Sequence, residues 1–148
     1  MNGTSIRYGV TAALSALGSG AAAALGGWDG AIQTLIWCMA ADYCTGLVVA
    51  GVFRRSDKSE NGALDSRAGF QGLLRKGAEL LLVLVAARLD TILGADAYAR
   101  TAVILFFTAN EALSILENLG LMGVPYPAFL KAALEVLRSR SDSEQEQN

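Results

Sequence analysis

Four apolar runs, each about 17–22 residues long, govern what this chain can become: Tyr8–Leu25, Ala31–Val52, Gly77–Leu93 and Thr101–Leu121. That length matches a helix crossing the ~30 Å hydrocarbon core of a bilayer. A soluble bundle of hydrophobic helices is the alternative, but its helices would carry a charged stripe, and these runs are apolar nearly all round. Composition agrees. Apolar residues make up 53% and charged residues 18% of the 148, with a mean hydropathy of +0.38, against roughly 25% charged in an ordinary soluble domain. The sequence therefore predicts an all-α integral membrane protein with four transmembrane helices, in one domain over residues 1–138.

The net charge of −2 decides little; its distribution decides more. The connection after the second run carries Arg54, Arg55, Lys58, Arg67, Arg75 and Lys76. The turn "GGWDG" has no basic residue, and "GADAYAR" has only Arg100. Under the positive-inside rule the middle connection and both termini are cytoplasmic, the alternation that four spans require. A signal-peptide reading of the N-terminus competes; it would leave three spans and part the termini.

With no histidine and no metal-ligand spacing, no metal or cofactor is expected. Nothing points to nucleic acid. Cys38 and Cys44 lie six residues apart on one run, roughly 9 Å along a helix axis, and cannot pair within it.

Small residues recur in the first two runs. Ala12, Ala16, Gly20 and Ala24 form a stripe at spacing four, and Gly46 and Ala50 continue the device in the second run. Such stripes let helices approach closely in lipid, although Ala-rich sequence also makes them by chance. The segment "RAGFQGLLRK" is basic and partly amphipathic, which suits contact with anionic membrane lipid or a topology signal alone. Beyond Pro125 and Pro127, a short amphipathic helix is expected over 127–138, then a disordered polar tail over 139–148.

Ionisable groups inside the runs are the exception to their apolar character. Asp42, Arg88 and Glu111 each fall about ten or eleven residues into their spans, near the bilayer midplane at ~1.5 Å per residue. One charge there costs at least ~2.5 kcal/mol, so three at one depth suggest a network. Asn110, Ser114, Glu117 and Asn118 extend it as a polar face on the fourth run. Either these groups clamp the helices of one subunit, or they meet water once copies assemble.

The motifs "DYCTGLV" (Asp42–Val48), "SRAGFQGLLRK" (Ser66–Lys76) and "NEALSILENLGLMGVPYP" (Asn110–Pro127) resemble the phage holin family that includes the clostridial toxin-export holins. The resemblance covers roughly Trp37–Leu137. It implies an oligomeric protein of the bacterial inner membrane that opens a lesion, releasing a cytoplasmic endolysin or toxin and lysing the host cell. It implies homo-oligomers in lipid, an endolysin as functional partner and no enzymatic chemistry, and it leaves room for an antiholin. A small-solute channel or transporter would also need intramembrane acids. A non-transporting scaffold is a third reading.

Overall fold

A computed structural model of the chain describes residues 3–56, 63, 65–133 and 135–136. The regular elements are helices: α1 (Gly3–Ala24), α2 (Gly30–Val48), α3 (Ser66–Leu93) and α4 (Tyr98–Leu121). Helix returns over residues 128–133 and 135–136, inside the expected amphipathic segment, where an exposed Lys131–Glu135 pair sits one turn apart at 3.7 Å. Lys58, Leu134, Leu137 and the tail 139–148 lie outside the described residues.

Local chemistry sets the helix ends. Asp29 precedes α2, and its carboxylate accepts from the Ile32 amide at 3.0 Å; Asp65 serves α3 through the Arg67 amide at 2.8 Å. Each satisfies a donor that the first turn leaves open. Gly94, at φ +63, ends α3 in the left-handed region that glycine tolerates. The last residues of the second run do not stay α-helical: Val49–Phe53 form one π-helical turn, closed by Arg54 at φ +50.

α4 is the central helix, packing along α2 and α3, which touch each other less. The core joins Ile32, Leu35 and Met39 of α2, Val83 of α3 and Ile104 of α4, with Leu80, Val103 and Phe107 packed against it. On α4 the inward stripe runs Arg100, Ile104, Phe107, Glu111, Ser114 and Asn118, a helical spacing of three and four. Its middle is apolar and both ends are polar. α2 repeats the order from Asp29 through Ile32, Leu35 and Met39 to Asp42, and α3 from Lys76 through Val83 to Asp90.

α1 stands apart. Residues 4–21 are exposed on every side, Ile6, Tyr8, Leu14 and Leu17 included. Two stretches, Gly30–Phe53 and Tyr98–Leu121, are long and apolar enough to cross a membrane. α3 keeps Glu79, Arg88 and Asp90 within its apolar part, and α1 is largely Ala and Gly.

Candidate functional site

Stacking these stripes places a polar layer at each end of the apolar core. Thirteen residues separate Asp29 from Asp42 on α2, fourteen separate Lys76 from Asp90 on α3, and eleven separate Arg100 from Glu111 on α4. At ~1.5 Å per residue the layers are about 17–21 Å apart. A hydrocarbon core of ~30 Å therefore cannot exclude both.

The first layer is built around Lys76. Its ammonium bridges two carboxylates, donating to Asp42 Oδ2 at 2.8 Å and to Glu111 Oε2. Asn118 completes the arrangement, donating through Nδ2 to Thr45 Oγ1 at 2.9 Å and to Asp42 Oδ1 at 3.2 Å. Asp42, Glu111 and Asn118 are buried. Gly46 faces this layer, where a Cβ on it would make ordinary contact with Asn118 Nδ2 at 3.8 Å. A cleft of about 450 Å3 opens over this layer, lined also by Asn110, Ser114, Glu117, Glu79 and Arg75. Acids outnumber bases along it, and Glu79 keeps one carboxylate oxygen buried without a hydrogen-bond partner among the described residues.

The second layer holds turns. Arg100, 3% exposed, donates from Nε to the Leu25 carbonyl at 2.6 Å, from Nη1 to Asp29 at 2.6 Å and from Nη2 to the Gly27 carbonyl at 3.1 Å. Asp90 accepts the Ala99 and Arg100 amides at 2.9 and 2.8 Å, giving α4 the cap that Ala97 cannot provide. The Arg100 hydrogen bond, then the Ile32 amide, holds the half-exposed Asp29 carboxyl below its ordinary range. Gly26, at φ +83, leaves room for Arg100: a Cβ there would lie 2.8 Å from the arginine Cδ and Nε.

Of the residues singled out in the sequence, Asp42, Asn110, Glu111, Ser114, Glu117 and Asn118 converge on the cleft, with Glu117 exposed. Arg88 does not join them. It donates to the Ala23 and Ala24 carbonyls, at 3.4 and 3.1 Å, at the C-terminal end of α1, where a cation also meets the helix dipole favourably. Its position is one residue off the buried α3 stripe of Val83, Ala86, Ala87 and Asp90, so its side chain leaves the bundle. Lys76, expected at the membrane surface, takes the role expected of Arg88. α3 begins eleven residues before the apolar run, so Lys76 sits within the helix, on the face that meets α2 and α4.

The small-residue stripe divides. Gly46 and Ala50 pack inside the subunit, whereas Ala12, Ala16 and Gly20 are exposed and Ala24 is half-buried. Arg54, Arg55, Arg67 and Arg75 are exposed, and Arg55 donates to the Leu121 carbonyl at the end of α4 at 3.3 Å. Sequence reasoning missed the bridging role of Lys76 and the hydroxyl of Thr45. It also missed the clamp that Asp90 and Arg100 form; the six-residue inward stripe of α4, which starts at Arg100, was the available signal.

Comparisons with known proteins bear on this bundle. The model of the bacteriophage holin family matches residues 19–139. An uncharacterised protein of Listeria innocua is 38% identical over 117 residues, 79% of this chain and 78% of that one. An uncharacterised protein of Clostridium perfringens is 38% identical over 118 residues, 79% of this chain and 82% of its own. A probable holin of Bacillus phage phi105 is 36% identical over 107 residues, 72% of this chain and 73% of its own. No solved structure matches. The family match takes in both polar layers and leaves out only the exposed part of α1 and the polar tail, and on that extent the chain belongs to the bacteriophage holin family.

Proposed function

We propose that this protein is a holin that gathers in the bacterial inner membrane, opens a lesion there, and so releases a cytoplasmic endolysin or toxin and lyses the host. The observation that carries this reading is the Lys76–Asp42–Glu111 layer, buried in the bundle of a holin-family chain. Charged groups at membrane depth are tolerated only against protein or water. In the lone subunit the three groups satisfy one another. When copies assemble, the same cleft face becomes a wetted wall, and water replaces the bridge. The family is non-enzymatic, and the reading involves no covalent chemistry.

Four crossings fit this reading. α3 packs along α4 beside α2, which supports a shared depth; with α1 crossing too, both termini and the basic connection face the cytoplasm. Expression in a bacterium should give a silent interval, then abrupt loss of membrane potential together with escape of a cytoplasmic reporter enzyme. Lasting expression with the potential intact would refute the proposal. Ion flux with the reporter retained would replace it with a small-solute channel, which the acidic lining of the cleft favours as the second reading. Glu111→Gln should shift the onset, since it removes one of the two charges held by Lys76.

A further inference from the structure

The basic residues near the N-terminal end of α3 divide by direction. Lys76 points into the bundle and Arg55 is committed to the Leu121 carbonyl. Arg67 and Arg75 are exposed, and among the described residues neither enters an ion pair. Arg67, Phe70 and Leu74 share one side of α3 at spacings of three and four residues, with Arg75 at its edge on the rim of the cleft, and the two apolar side chains are 61% and 58% exposed. The opposite side of the same turns, Gly69, Gly72 and Lys76, is half-buried.

We propose that this face of α3 is a binding surface for the headgroups of anionic phospholipid. Arg67 and Arg75 stand about 12 Å apart along the axis with an aromatic and an aliphatic side chain between them. That alternation suits the boundary between headgroup and acyl chain, where aromatic rings settle and long cationic side chains reach for phosphate. The helix then continues into exposed Leu81, Leu82 and Val85, so the surface lies where lipid begins. A nucleic acid would leave Phe70 and Leu74 uncovered. The proposal requires only that the chain sits in a bilayer, not that it opens one.

The test reconstitutes the full chain in phosphatidylcholine with phosphatidylglycerol, extracts it, and counts retained lipids by native mass spectrometry. The wild type should retain phosphatidylglycerol preferentially, and Arg67→Gln with Arg75→Gln should cut the preference roughly 30-fold. This corresponds to about 1 kcal/mol per basic residue at about 1.4 kcal/mol per factor of ten. Arg67→Lys with Arg75→Lys should keep most of it. In the wild type, high salt should erase the preference, because screening acts on exposed charges. An unchanged preference in the glutamine variant, or a salt-independent one in the wild type, overturns the proposal. Failure of the wild type to enter bilayers at all would instead refute the membrane reading.

Discussion

Lys76→Met is the sharpest perturbation of the first polar layer. Methionine keeps much of the length and the apolar stem but removes the ammonium that Asp42 and Glu111 share. Two carboxylates about 5 Å apart repel by roughly 3 kcal/mol at an effective dielectric of about 20. Removing one partner of a buried pair costs about 3–5 kcal/mol in proteins generally. The two routes agree on a loss of about 3–5 kcal/mol, or roughly 10 °C in Tm for a chain of this size. The assay is a thermal melt of the helical circular dichroism signal in detergent. A triple variant, Lys76→Met with Asp42→Asn and Glu111→Gln, should recover most of the loss, because neutral replacement of a buried ion cluster is often near neutral. A single variant melting within about 2 °C of wild type would refute the account. So would a triple variant no better than the single one, since the loss would then come from the packing of the lysine stem.

Other positions give independent checks. Gly26→Ala should loosen the α1–α2 turn, because its Cβ would meet Arg100 at 2.8 Å from a left-handed backbone; hydrogen exchange should rise over residues 24–30 and stay low in the α2–α4 core. Arg100→Gln should do the same, through loss of its bonds to Leu25, Gly27 and Asp29. Asp29 has its folded pKa depressed below 3.8, so its contribution is present above that value and fades as pH falls through the folded one; Asp29→Asn should flatten this acid limb in melts taken from pH 5 downward. Gly46→Ala should change Tm little, since a Cβ there makes ordinary contact with Asn118, whereas Gly46→Leu should cost about 1–3 kcal/mol by forcing α2 from α4.

Hydropathy made the helical class legible, and for α4 it placed the ends well: the apolar run Thr101–Leu121 became Tyr98–Leu121. For α3 the helix begins eleven residues before the apolar run, because hydropathy records where a helix suits lipid rather than where it begins. The helix starts at the Asp65 cap, and the polar turns before Gly77 are as helical as the apolar ones. The apolar run begins one residue after Lys76, which left Arg88 as the counter-charge expected within it. The acids and amides of the cleft were legible because α4 carries most of them on one helix, where spacing alone defines a face. Their cation was not, because it comes from another helix, and its register follows from packing that no single-helix pattern contains.

The two polar layers differ in what they bind, and the difference bears on which one can open. Beside the Arg100–Asp29 pair, Arg100 and Asp90 grip main-chain groups: the carbonyls of Leu25 and Gly27, and the amides of Ala99 and Arg100. Separating that layer would strip the caps from two turns and leave backbone donors unmet, each costly away from water. At the other end, Lys76 meets side-chain oxygens of Asp42 and Glu111, and Asn118 meets the Thr45 hydroxyl and the Asp42 carboxylate. Water can replace those partners while the helices keep their own hydrogen bonds. A bundle built this way should come apart first at the Lys76 end, with the Arg100 clamp acting as the fixed end about which α2, α3 and α4 separate.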